Sequence, residues 1–180
     1  LHKNPDQADV TPSAIFIDRR GNKYVGSRAY NNAARNPDNA AVLFKRLMGT
    51  STPVKLPAVN LTMTPEECSA EVLRALYGYL PEEIRGDGDT GTVITVPAAF
   101  NQMQKDSTMA AADAAGLGRV ALMQEPVAAV MSVMRQRKTD GIFVVYDIGG
   151  GTLDVAIAES IGGRVNLLAH GGIAMCGGRD

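Results

Sequence analysis

The residues best suited to chemistry lie in one short run, Tyr146-Asp-Ile-Gly-Gly-Gly-Thr-Leu-Asp-Val155. Three consecutive glycines, Gly149, Gly150 and Gly151, allow positive φ angles and a close backbone approach with no Cβ in the way. Successive N–H groups in such a turn can converge on an anion, and Thr152 adds a hydroxyl donor. Asp147 precedes the glycines and Asp154 follows them. A carboxylate beside a phosphate needs a cation or a water between them. Mg²⁺ takes few carboxylates and keeps several waters, which suits this pattern. The mononucleotide P-loop requires a lysine after its glycines and then a helix, and the dinucleotide fingerprint also leads into a helix. Here Leu153-Asp-Val-Ala-Ile157 alternates with period two and predicts a strand. The run is therefore expected to be a strand–turn–strand hairpin. A purely structural hairpin is the competing reading, and the flanking aspartates favour the functional one.

Other reactive side chains have simpler explanations. Glu125 precedes Pro126 at the start of an expected helix, where a carboxylate also serves the helix dipole. Pro97 can simply terminate a strand. Glu66 and Glu67 follow Thr64-Pro65 as a capping box rather than a catalytic pair. Cys68 reads as a buried helix residue, and Cys176 has no base near it in sequence. With His2 and His170 the two cysteines make a poor metal set, and neither histidine belongs to a visible constellation. Met103, Met109, Met131 and Met134 sit at helical spacing and read as core, and Tyr30 as a packed aromatic.

The elements that must position the glycine run can be read around it. Ala14-Ile-Phe-Ile17 and Lys23-Tyr-Val25 are expected strands joined by an Asp18 to Asn22 turn. Asn36-Pro37 predicts a helix start and Gly49 its end, with Leu43 and Leu47 buried. Thr64-Pro65 opens a helix carrying Val72, Leu73, Leu76 and Leu80. Val93 to Val96 suits a buried parallel strand, and an alanine-rich helix follows from Asn101 to Gly116. Val120 to Met123 is a strand, and Pro126 opens a helix with Val127, Val130, Met131 and Met134 on one face. Three strands close the chain as an antiparallel meander: Ile142–Tyr146, Leu153–Ala158 and Arg164–Ala169, the last two joined by Gly162-Gly163.

Composition narrows the function classes. The chain has 180 residues, with 18 basic against 19 acidic side chains and a net charge of -1. That balance argues against a nucleic-acid partner held by phosphate neutralisation. No apolar run is long enough to span a membrane, and no leader is visible, so a cytoplasmic location is expected. Of 19 glycines, seven cluster at 149–151 and at 171, 172, 177 and 178. The chain starts at Leu1, which reads as a cut or processed end.

Asp147-Ile-Gly-Gly-Gly-Thr-Leu-Asp-Val155 resembles the second phosphate loop of DnaK-type heat-shock chaperones. Val93-Ile-Thr-Val-Pro-Ala-Ala-Phe-Asn101 is similar to the strand before that family's interlobe helix. Leu122-Met-Gln-Glu-Pro-Val-Ala-Ala129 is similar to its second signature. Thr11-Pro-Ser13, Asn36-Pro37, Lys45-Arg-Leu-Met-Gly49 and Gly177-Gly-Arg-Asp180 follow in the family's order. The resemblance implies an α/β, actin-like ATPase (ribonuclease-H-like) fold, incomplete here, with a mixed sheet and flanking helices. Residues 1–138 would be lobe I without its first hairpin, with about 13–64 as its outer subdomain, and 139–180 the first strands of lobe II. It implies ATP/ADP and Mg²⁺ as cofactors, with K⁺ as a further ion. The implied phosphate contacts are Gly149, Gly150, Gly151 and Thr152. Asp147 would order Mg²⁺ waters and the attacking water, Asp154 would lie near the metal and potassium shell, and Glu125 would sense nucleotide and position water. Pro97 and Lys105 would form the interlobe relay, Lys105 standing where the family has arginine. The implied partners are unfolded polypeptides, a J-domain co-chaperone and a nucleotide exchange factor.

Three departures qualify the resemblance. The family's first phosphate loop, Asp-Leu-Gly-Thr-Thr, would precede Leu1. Tyr30 stands where the family has its catalytic lysine, and tyrosine supplies no cation. The stretch from Thr50 to Met63 is short. The last two features resemble the divergent HscC-like branch. The 180-residue piece alone is expected not to hydrolyse ATP, whereas its parent is implied to be an ATPase. The competing classes are a sugar kinase or reactivating factor of the same fold, and a nucleotide-sensing module that has lost catalysis.

Overall fold

The computed structural model describes residues 2–85, 90–137, 139–149 and 152–174, excepting the side chains of Thr152 and Ala174. The chain divides into two compact units, Leu1–Thr92 with Gln102–Val120, and Val93–Asn101 with Ala121–Asp180.

The first unit is built on β1 (Ala14–Ile17), whose four residues are all buried. Alternation sends Ile15 and Ile17 into one apolar cluster, with Phe44, Leu56, Met63, Cys68 and Val72, while Ala14 and Phe16 join Ala29 in another. β2 (Lys23–Val25) pairs antiparallel with β1. The reversal between them is made by Asp18, whose carboxylate accepts the backbone N–H groups of Arg20 and Asn22, both at 2.9 Å. After α1 (Ser27–Ala33), β3 (Ala40–Val42) takes the other edge of β1, giving the order β2-β1-β3.

The helix expected from Asn36 to Gly49 is replaced by two short 3-10 turns, Pro37–Asn39 and Phe44–Leu47, with β3 between them. Asn36 makes no side-chain cap, and Leu43 lies at φ 59, in the left-handed region. Pairing with β1 outweighs the local helix signal. Phe44 and Met48, not Leu43 and Leu47, are the buried residues. Asn39 instead holds the turn to the sheet: its buried Nδ2 donates to the Ile17 carbonyl at 2.8 Å.

β4 (Val54–Leu56) and β5 (Leu61–Met63) form an antiparallel hairpin. α2 (Pro65–Gly78) starts at the expected capping box: the Glu67 N–H donates to Thr64 Oγ1 at 3.1 Å, and the Thr64 N–H to Glu67 Oε2 at 2.8 Å. Val72 is buried, but Leu76 is 41% exposed and lies off the core face. α3 (Glu82–Arg85) is a single turn. The strand β6 (Thr92–Val96) leads to α4 (Gln102–Ala114), which packs on α2. A polar node joins that packing: Ser107 Oγ donates to Glu66 Oε1 at 2.6 Å and accepts the Gly49 N–H at 3.1 Å. Gly49 is required there. Its φ is +75, and a Cβ would lie 2.9 Å from Gln104 Cγ and 3.0 Å from its backbone nitrogen.

In the second unit β6 pairs with β7 (Val120–Gln124), which runs directly into α5 (Glu125–Arg137). β8 (Gly141–Ile148), β9 (Thr152–Ile161) and β10 (Arg164–Ala174) form the expected antiparallel meander in the order β10-β9-β8. Burial on β8 alternates: Phe143, Val145 and Asp147 are half-buried, whereas Ile142, Val144, Tyr146 and Ile148 are exposed. On β9, Ala156, Ala158 and Ser160 are buried on the face that also carries Asp154. α5 packs against all three strands. Met103, Met109 and Met131, expected in the core, are 66%, 38% and 47% exposed.

Candidate functional site

The site is assembled by strand register. Asp147 pairs directly with Asp154 across β8 and β9, and Asp154 pairs with Gly172 on β10. Residues directly opposite in an antiparallel pair point to the same side. The two carboxylates therefore share one face, at the hairpin end of the sheet. The neighbouring row on that face is Val145, Ala156 and His170.

Gly172 explains how the Asp154 carboxylate fits. A Cβ there would lie 2.6 Å from Asp154 Oδ1 and 3.0 Å from the Leu153 carbonyl. Glycine leaves the space that the carboxylate fills. A narrow cleft runs along this face. It is lined by Glu125 and Pro126 from the start of α5, Ala98 after β6, and Asp147, Asp154, Ala156 and His170 from the meander. The cleft has about 10 Å³ of free space, enough for a single water.

The hairpin expectation holds, because Ile148 and Leu153 pair as the last and first described rungs around the turn. Gly149 follows the end of β8, and Thr152 is the first residue of β9. Gly150 and Gly151 lie outside the described residues, as do Cys176 and the closing Gly177 to Asp180. The structure brings Glu125, Asp147 and Asp154 to one cleft. Pro97 is buried directly after β6, and its carbonyl accepts the Phe100 N–H at 3.1 Å. Lys105 is half-buried on α4, in the other unit. Tyr30 is 40% exposed at α1.

The donor set fits a hydrated divalent cation. Among the described residues, no three His, Cys, Asp or Glu side chains are grouped to hold a metal. Mg²⁺ does not need such a cage, since it binds through one or two carboxylates, its own waters and substrate phosphates. Two directly opposed carboxylates repel each other and provide that charge. Among the described residues, no helix is long and apolar enough to cross a membrane.

Sequence reading did not join His170 to this constellation, although it lines the same cleft. The other groups lining that cleft come mainly from β8, β9 and α5, so nothing adjacent in sequence marks His170. Alternation counted from the Gly162-Gly163 turn would set it opposite Val155, on the other face; the register shift between Leu167 and Ala169 brings it opposite Ala156.

The family model for Hsp70 protein matches residues 51–180. The chain belongs to the Hsp70 family. Membership carries the actin-like ATPase fold expected from the sequence, and the mixed α/β element order agrees with it. Hsp70 proteins use nucleotide and Mg²⁺. Among curated relatives, the chain is 35% identical over 196 residues to the chaperone protein HscA homolog of Burkholderia lata, covering 98% of this chain and 31% of that protein. It is 36% identical over 197 residues to chaperone protein HscA of Pectobacterium carotovorum, covering 97% and 31%. It is also 36% identical over 188 residues to the HscA homolog of Bordetella pertussis, covering 95% and 30%. The chain thus spans about a third of the length of these Hsp70 relatives.

Proposed function

We propose that the protein binds Mg·ATP at the β8–β9 hairpin and hydrolyses it as part of a chaperone cycle. The observation that carries this reading is the directly opposed Asp147–Asp154 pair, sharing a cleft with Glu125 at the end of β8 and start of β9. The backbone N–H groups of Gly149, Gly150 and Gly151 and the Thr152 hydroxyl would receive the β- and γ-phosphates. Asp147 and Asp154 would hold Mg²⁺ through its waters, with K⁺ as a further ion beside Asp154. The cation supplies neutralisation of phosphate charge. Asp147 and Glu125 would orient the attacking water. Phosphoryl transfer of this kind depends on positioning and charge more than on covalent help.

Pro97 and Lys105 would relay the nucleotide state between lobe I, at 1–138, and lobe II, at 139–180. The parent would thereby switch its affinity for unfolded polypeptides, aided by a J-domain co-chaperone and an exchange factor, in the cytoplasm. Such switching requires a difference in client affinity between nucleotide states. The HscA names of the relatives support a chaperone role. Placement in an HscC-like branch rests only on Tyr30 and the short stretch from Thr50 to Met63. Tyr30 also favours a second reading, a nucleotide sensor without turnover, because no cation comes from that position.

Single-turnover hydrolysis by the full-length protein separates these readings. Slow turnover that falls by about a hundredfold in Asp147→Asn supports the ATPase. Tight ATP binding without turnover supports the sensor, and absence of ATP binding overturns both.

A further inference from the structure

We infer that the exposed His170 imidazole binds the phosphate chain of nucleotide at the mouth of the cleft, as a side-chain hydrogen-bond donor. The inference rests on the phosphate-site reading above and adds a residue to it. His170 lies opposite Ala156, itself opposite Val145, so its side chain projects from the same face as Asp147 and Asp154, one row away. It lines the cleft with those two carboxylates and with Glu125. The described residues lining the cleft include three carboxylates and this imidazole, and neither lysine nor arginine.

That inventory sets the chemistry. Ionised carboxylates only accept hydrogen bonds, and so do phosphate oxygens. The acidic groups can meet a phosphate only through a cation or water. The imidazole is the one side chain among these that carries an N–H donor at neutral pH in either protonation state. Its position on β10 is open, because the next residues are Gly171 and Gly172, and Gly172 is already committed to the Asp154 carboxylate. Arg135 and Arg137 lie at the far end of α5 from Glu125, too distant along the helix to replace it.

The test is equilibrium titration of the full-length protein with MgATP and with MgADP, in wild type, His170→Ala, His170→Asn and Asp147→Asn. His170→Ala should weaken MgATP by about tenfold, the worth of one hydrogen bond to a charged group. His170→Asn, which keeps an N–H donor, should recover most of that loss, and a merely structural role would not show this rescue. A second readout needs no stable variant. The His170 imidazole Cε1–H resonance in wild type should move on adding MgATP and stay still on adding Mg²⁺ alone. MgATP affinity unchanged in His170→Ala, together with a silent imidazole, overturns the inference; if Asp147→Asn still impairs the protein, the phosphate-site reading survives. Absence of MgATP binding by wild type overturns both.

Discussion

Asp147 of β8 and Asp154 of β9 are register partners, two carboxylates placed directly opposite each other on one face of an antiparallel hairpin. Opposed like charges destabilise a strand pair by about 0.2–1 kcal/mol. A sheet selected for stability alone would not place them so, and under the proposed function the cation offsets their repulsion.

The first prediction separates stability from function. Without divalent cation, Asp147→Asn should raise the melting temperature by about 1–3 °C, since neutralising one partner removes the repulsion. Mg²⁺ should stabilise wild type more than the variant. Melting curves in chelator and in Mg²⁺ measure both effects. A variant that melts below wild type in chelator would show that Asp147 is structural.

Gly172→Ala tests the other side of the pair. The new methyl would meet Asp154 Oδ1 at 2.6 Å and force the carboxylate to move. Mg²⁺-dependent nucleotide binding should fall at least about tenfold, and stability by about 1–3 kcal/mol. Gly171→Ala is the control, because nothing lies within 4 Å of its Cβ position. Equal behaviour of the two variants in titration and denaturant melts would reject the role given to Gly172.

The site and its sheet were legible in the sequence to the extent that local patterns decided them. The alternation of Leu153 to Ile157 and the Gly162-Gly163 turn are local signals, and β9 and β10 follow them. The capping box at Thr64 is equally local and forms as written. The stretch from Asn36 to Gly49 was misread because long-range pairing decides it. Ala41 pairs with Ile15, and Leu43 takes a left-handed conformation to continue the path. A helix signature that spans such a segment carries no information about the strand waiting for it. His170 was not joined to the site for a related reason, since the groups that share its cleft lie mainly on other strands and on a helix. The exposed methionines show the limit of periodicity, which marks a face but not whether anything covers it.

The Ser107–Glu66 contact gives a pH-dependent prediction. Burial raises the Glu66 pKa, but the Ser107 hydroxyl, its own backbone N–H and Thr64 outweigh that and hold it below its ordinary 4.5. A lowered carboxyl pKa means stability that is present above 4.5 and lost as pH falls through the folded value. Ser107→Ala should therefore be less stable than wild type at pH 7, and the gap should narrow below pH 4.5. A residual, pH-independent loss of about 1 kcal/mol should remain, because the Gly49 N–H also loses its acceptor. Denaturant melts of both proteins at several pH values measure the gap, and a constant gap would remove Glu66 from the account.

Cys68 should be chemically silent in the folded protein. It is fully buried in α2, and its thiol is pushed up to about 12, by burial first and then by Glu67, Glu71 and Glu66. The thiolate is the reactive form, so at pH 8 only about one thiol in ten thousand would be ionised even if a reagent reached it. In a Cys176→Ser background, a disulfide reagent should label Cys68 only at the rate at which the first unit opens. Labelling should become fast in denaturant and should slow whenever that unit is stabilised. Immediate labelling under native conditions would mean that α2 does not cover Cys68 in solution. The packing of Ile15, Leu56 and Val72 around it would then need revision.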